Sequence, residues 1–257
     1  MTASQLRSRA LPPTVLITRP EPYGAEFAAL LRAAPGGDVP VILSPALVIE
    51  AAGVLPGLDG YRWLIFTSRS GVRQFAVLSE RRDIPVYAVG DATAQEARGA
   101  GMRAISCSGD AGDLLSRIRA DGVRGPMLHL RGEHAAANVA GALRDAGIPA
   151  DEAVIYAQRR APLSAEARAC LDGSAPVIAP VFSPRSAAAL FADGPPRAPL
   201  VVLAISAAAA ARVPERAHGA AAQSVIVAER PDAAAMLRAW PAALSAAYRL
   251  EGTMRPQ

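Results

Sequence analysis

The chain repeats itself, and that repetition limits its architecture more than any other feature. Phe66-Thr67-Ser68-Arg69-Ser70 returns 116 residues later as Phe182-Ser183-Pro184-Arg185-Ser186. At the same spacing, Val89-Gly90-Asp91-Ala92-Thr93-Ala94 maps onto Ile205-Ser206-Ala207-Ala208-Ala209-Ala210. A second series, Leu16, Arg19, Glu21, Leu31 and Arg32, maps onto Leu128, Arg131, Glu133, Leu143 and Arg144 at an offset of 112. A duplication of this kind calls for two copies of one architecture, each with its own core.

Within each copy, short apolar runs alternate with alanine-rich helical patterns. The runs are Val15–Thr18, Trp63–Phe66, Val86–Val89, Ala104–Cys107, Met127–Leu130, Val177–Phe182, Leu200–Ile205 and Val225–Ala228. The helical patterns are Tyr23–Ala34, Ser70–Ser79, Thr93–Ala100, Asp113–Ala120, Ala136–Ala146, Arg185–Phe191, Ala207–Val213 and Asp232–Ala239. Strands spaced by helices predict parallel βα units, and continuous apolar strands predict sheets covered on both faces. The eight units allow a plain tandem or a nested arrangement in which one domain is inserted into the other. Two extended, β-branched stretches, Val41–Glu50 and Glu152–Arg159, supply the two crossings that nesting needs.

A length of 257 residues with 51% hydrophobic residues suits two domains with buried cores. Mean hydropathy is +0.21, carried largely by alanine. No apolar run approaches the roughly 20 residues of a spanning helix. The longest, Leu200 to Ala211, reads as a buried strand running into a helix start. Met1–Pro13 holds Arg7 and Arg9 without a signal-like apolar core and reads as a frayed tail. The expectation is a cytoplasmic protein with no membrane association. Cys107 and Cys170 stand far apart and read as reduced thiols. The net charge is +4, and every basic side chain is arginine. Arginine holds its charge and grips carboxylates bidentately, which suits a polyanionic ligand. The arginines form no dense run and no aromatic stripe accompanies them, so nucleic acid is not expected as a partner.

Ligands of open parallel sheets bind beyond the carboxyl ends of the strands. Three loops there invite attention: Thr67-Ser68-Arg69-Ser70-Gly71, Gly90-Asp91-Ala92-Thr93 and Phe182-Ser183-Pro184-Arg185-Ser186. Serine or threonine in such a turn caps a helix, and the free amides beside it attract anions. Arg19 and Arg131 follow strands directly, each with a neighbouring glutamate, Glu21 or Glu133, as a local partner. Phosphate-cradling glycine loops and nucleophile elbows are absent. His129, His134 and His218 have no metal-like spacing, and His129, inside a strand, reads as a packed residue.

The ordered set Ile17-Thr18-Arg19-Pro20, Phe66-Thr67-Ser68-Arg69-Ser70-Gly71-Val72, Ala88-Val89-Gly90-Asp91-Ala92-Thr93-Ala94, Leu130-Arg131-Gly132-Glu133, Val154-Ile155-Tyr156 and Phe182-Ser183-Pro184 resembles the uroporphyrinogen-III synthases over about residues 14–240. The resemblance implies an α/β protein of two similar domains, each a parallel sheet flanked by helices, joined by a two-stranded connector. It implies the nested partition: residues 1–40 and 160–257 form a discontinuous first domain, 48–152 an inserted second domain, and 41–47 and 153–159 the connectors. It further implies a cleft between the domains for hydroxymethylbilane, a linear tetrapyrrole with eight carboxylates, and no cofactor or metal. A monomer is expected.

The reaction implied is a hydro-lyase step. Loss of the terminal hydroxyl gives an azafulvene cation, and attack by the substituted carbon of the last pyrrole gives a spiro intermediate. Fragmentation and reclosure then invert that ring. By the same resemblance Tyr156 is the proton donor to the departing hydroxyl. Arg19, Thr67, Ser68, Arg69, Thr93, Arg131, Ser183, Arg185 and Ser206 are candidates for the substrate's carboxylates. One departure stands out: Ser206-Ala207-Ala208-Ala209 lacks the glycine and threonine usual in the second copy of the Gly90–Thr93 loop. It motivates a second reading, a member that holds a tetrapyrrole or another polyanion without turnover. A nucleotide-sugar or solute-binding protein is the other alternative, and the motifs it needs are not in the sequence.

Overall fold

Val15 and Ile17 pack into one apolar cluster and Leu16 into another, because successive side chains of a strand point to opposite faces. The same division recurs along Leu200–Ala204: Val201 and Leu203 join Phe27, Leu31 and Trp240, while Leu200, Val202 and Ala204 join Leu171, Ala187 and Leu190. These strands therefore read as unbroken apolar runs: both faces of the sheet are buried. The computed structural model describes residues 12–135, 137–215 and 223–252, with the backbone alone for residues 251 and 252. The tail at residues 1–11, Ala136 at the head of an expected helix and His218 lie outside the described residues.

The chain divides into two compact units, residues 1–48 with 160–257 and residues 49–159. In the first, β1 (Thr14–Ile17), β2 (Val41–Leu43), β9 (Val177–Val181), β10 (Leu200–Ala204) and β11 (Gln223–Val227) form one sheet in the order β11-β10-β9-β1-β2, all pairings parallel. Helices α1 (Tyr23–Ala33), α6 (Ala165–Asp172), α7 (Pro184–Leu190), α8 (Ala207–Ala210) and α9 (Ala233–Gly252) belong to this unit.

The second unit's sheet has the order β3-β8-β7-β4-β5-β6, from β3 (Leu47–Ala51), β8 (Ala150–Arg160), β7 (Met127–Gly132), β4 (Trp63–Phe66), β5 (Val86–Ala88) and β6 (Ala104–Ser106). From β8 through β6 its pairings are parallel. Helices α2 (Arg69–Leu78), α3 (Asp91–Gly99), α4 (Ala111–Ala120) and α5 (Val139–Asp145) connect and flank these strands. Leu64, Phe66, Val72, Phe75 and Val86 form the core on one side, and Ile65, Tyr87, Leu114, Ile118 and Leu143 that on the other.

Local differences from the sequence reading have identifiable causes. The stretch Val41–Glu50 is two strands, not one: β2 closes the first sheet, and β3 lies beside β8 in the second. Helix α9 was expected to stop at Ala239 before Pro241, yet it continues to Gly252 with the proline inside it. Burial of Trp240, Ala243, Ala246 and Ala247 against β1 and β10 residues offsets the ladder bond that proline removes. Helix α8 is shorter than expected, ending at Ala210, since Pro214 disfavours helical geometry at Val213. Helix α6 was missed, although Ser164 caps it by accepting from the Ala167 amide at 3.1 Å.

Candidate functional site

Because its strands run parallel, each unit gathers its strand-end loops along one edge. In residues 49–159 that edge contains a cavity of about 340 Å³, lined by Thr67, Ser68, Arg131, Gly132, His134 and Tyr156 among others. Thr67 and Ser68 follow β4, and Ser68 is the N-cap of α2: its Oγ accepts from the Gly71 amide at 3.1 Å. That cap fixes the hydroxyl at the turn, where Ser68 Oγ also lies 2.8 Å from Tyr156 Oη. Thr67 Oγ1 lies 3.2 Å from Nε2 of His129, whose ring has no exposed surface.

A bulge places Tyr156. Arg131 pairs with Val154, but Gly132 pairs with Tyr156, so Ile155 is the extra residue on β8. In a regular strand Ile155 and Tyr156 would face opposite ways; here both pack into the same cluster. Gly132 makes room for the ring. A Cβ built there would fall 2.6 Å from Tyr156 Cζ and 2.9 Å from its Oη. Tyr156 is 7% exposed, and what it exposes lines the cavity.

The carboxylate that Arg131 pairs with is that of Glu152; from Glu133 it takes only the backbone carbonyl, at 3.3 Å. Its Nη2 and Nε donate to the two oxygens of Glu152 at 2.7 and 3.1 Å, and Nη1 donates to the Gly132 carbonyl at 2.9 Å. Glu133 pairs with Arg159 instead. The Arg131 guanidinium, hydrogen-bonded to Glu152, holds that carboxyl below its ordinary value. Arg69 is likewise paired: Glu96 accepts from its Nε at 2.7 Å and also forms an ion pair with Arg73 at 2.7 Å. The charge of Arg69 is thus partly spent within α2 and α3, and Arg69 does not line the cavity. Thr93 is buried in the first turn of α3 and is also absent from the cavity wall.

The remaining candidates lie in the other unit and form their own group along its edge. Arg19 follows β1, with its guanidinium 4.2 Å from the centre of the Phe182 ring and 5.3 Å from that of Tyr23. Such stacking fixes the plane of the guanidinium at the end of β1. Ser183 caps α7 in a reciprocal box with Ser186, and Arg185 stands in that helix's first turn. Ser206 caps α8, accepting from the Ala209 amide at 3.3 Å.

Sequence reasoning missed three members of the cavity's surroundings. Glu152 escaped because its pairing with Arg131 spans two strands. His129 read as plain core because the alternation of β7 hides its contact with Thr67. Asp110, which lines the cavity and caps α4 in a box with Asp113, carried a local signal in Asp110-Ala111-Gly112-Asp113. Among the described residues no cluster of metal-ligating side chains occurs, and no helix is long and apolar enough to cross a membrane.

The family model described as uroporphyrinogen-III synthase HemD matches residues 25–238. The chain belongs to the uroporphyrinogen-III synthase family. Its fold is similar to that of the uroporphyrinogen-III synthetase of Helicobacter pylori, with a TM-score of 0.59 at 16% identity over 90% of this chain and 99% of the other. A mutant uroporphyrinogen III synthase from the extremely thermophilic bacterium Thermus thermophilus aligns at 15% identity over 91% of this chain and 99% of its own, with a TM-score of 0.48. No curated protein matches the chain in sequence. Family membership rests on the sequence match, and the structural likeness establishes the two-sheet α/β fold of uroporphyrinogen-III synthases.

Proposed function

We propose that the chain is an active uroporphyrinogen-III synthase, a hydro-lyase that cyclises hydroxymethylbilane with inversion of the last ring. The observation that carries this reading is the 2.8 Å contact of Ser68 Oγ with Tyr156 Oη at the wall of a cavity that Arg131 also lines. In the proposed reaction Tyr156 donates its phenolic proton to the departing hydroxyl, and water leaves. Ser68, held by the Gly71 amide, donates its own hydrogen to Tyr156 Oη and so turns the phenol's proton outward. A volume of about 340 Å³ takes one end of so long a substrate. Arg131, Thr67 and the strand-end amides would hold that end's carboxylates. The pyrroles supply much of the reactivity, and the protein's main task is to hold the pose in which the disfavoured carbon attacks.

Freshly prepared hydroxymethylbilane tests the proposal. Release of the type-III isomer, resolved from the type-I isomer of spontaneous closure, is expected. Tight binding with type-I product alone would make the chain a non-catalytic polyanion-binding member, the reading that Ala207–Ala209 favours.

A further inference from the structure

His129 sits behind the cavity wall, and the reaction as described gives it no part. Its ring is fully buried in β7, with Nε2 3.2 Å from Thr67 Oγ1. Nδ1 is buried and has no hydrogen-bond partner among the described residues. Burial pushes the imidazole down to about 4; Glu152 opposes that shift and Arg131 adds to it. The ring is therefore neutral near pH 7 and carries one proton. On Nδ1 that proton would be a buried donor with no acceptor, an arrangement proteins avoid. On Nε2 it is satisfied by Thr67, and Nδ1 keeps only an unpaired lone pair, the smaller cost. A threonine hydroxyl that accepts from the ring retains its own hydrogen for another partner. Thr67 lines the cavity together with Ser68 and Tyr156.

We propose that His129 is a positioning residue: by donating Nε2–H to Thr67 Oγ1, it makes the Thr67 hydroxyl a hydrogen-bond donor to a carboxylate of the ligand in the cavity. The inference rests on reading the cavity as a polycarboxylate site. Polarity is the point of the arrangement. A Thr67 that donated to the histidine would offer a carboxylate only lone pairs. The Ser68 hydrogen goes to Tyr156 and that of Tyr156 is assigned to the departing hydroxyl, which leaves the Thr67 hydroxyl to meet a carboxylate.

Nitrogen-15 NMR of the full, labelled chain reads the tautomer without any ligand, with the His129 signals assigned by their loss in His129→Gln. A protonated Nε2 and a bare Nδ1 are expected near pH 7; a protonated Nδ1 overturns the proposal. Affinity for uroporphyrin III, a stable octacarboxylate, is then followed by fluorescence, alongside steady-state kinetics with hydroxymethylbilane. His129→Leu is expected to weaken porphyrin binding and raise KM by about tenfold, with kcat changing less. His129→Gln, which keeps an N–H in reach of Thr67, is expected to recover most of that loss. His129→Leu added to Thr67→Val is expected to weaken binding little further than Thr67→Val alone, since the histidine acts only through the Thr67 hydroxyl. Unchanged affinity in His129→Leu, or additive losses in the double variant, overturns the proposal. Should His129→Leu fail to fold by circular dichroism, the tautomer and His129→Gln still decide it. Failure of the wild-type chain to bind porphyrin or process hydroxymethylbilane would sink the substrate reading, and the tautomer would separately decide the polarity at Thr67.

Discussion

Ser68 and Tyr156 stand 88 residues apart in sequence and 2.8 Å apart at their hydroxyl oxygens. The cap of α2 holds one and a bulge between β7 and β8 presents the other. If Tyr156 supplies the proton for loss of the hydroxyl, Tyr156→Phe keeps the ring and removes only that proton. Turnover is expected to fall by about 10² or more, with KM changed only slightly. Steady-state kinetics on hydroxymethylbilane check this; unaltered kcat would take Tyr156 out of the mechanism. Ser68→Ala is expected to lower kcat less, and to cost about 1 kcal/mol of stability through the lost cap.

Gly132 sets the position of the same ring. A methyl group there meets Tyr156 Cζ at 2.6 Å, so Gly132→Ala must push the ring or β7 aside. Overpacking of this kind costs about 1–3 kcal/mol. Gly132→Ala is expected to lower Tm and to abolish most turnover while far-UV dichroism stays native. Wild-type kinetics in that variant would show that the ring's placement is immaterial.

Glu152 provides a test of pH dependence. Its carboxyl is held below the ordinary 4.5 by the hydrogen bond from Arg131. A carboxylate with a depressed folded value stabilises the fold above the unfolded value and loses that contribution as pH falls through the folded one. Wild type is therefore expected to melt above Glu152→Gln at pH 6–7. The gap should narrow below about pH 4.5 and close under stronger acid. A gap independent of pH would mean that the pairing with Arg131 does not supply the stability.

Salt should weaken substrate capture. The net charge is +4 and the proposed substrate is a polyanion. Raising ionic strength from about 0.05 to 0.5 M shortens the screening length several-fold and is expected to raise KM by about two- to tenfold at nearly constant kcat. A KM insensitive to salt would argue for contacts dominated by shape.

Glu96 constrains Arg69 and Arg73 through contacts of 2.7 Å. Glu96→Gln removes the negative charge beside both guanidiniums and is expected to tighten binding of a polycarboxylate such as uroporphyrin III by a few-fold. Calorimetric titration checks the direction. Weaker binding would mean that Glu96 orients these arginines for the ligand.

The primary sequence by itself determined the α/β character, the duplication and the family. Strand periodicity, helix caps and turn residues are local properties, and a sheet covered on both faces leaves an unbroken apolar run such as Leu200–Ala204. Ser68, Ser183 and Ser206 announce themselves in the same way, since a cap is decided within a few residues. Only the tertiary structure decided which of the candidates share a cavity. Arg131 chose the Glu152 carboxylate over that of the nearby Glu133 because neighbouring strands bring them together. Arg69 was drawn off by Glu96 on the next helix. Helix α9 ran through Pro241 because its far half had a core to cover. Ile155 became the extra residue of a bulge, which turned Tyr156 toward Ser68. These outcomes depend on strand pairing and on competition among partners distant in sequence, and no local pattern of residue types encodes them.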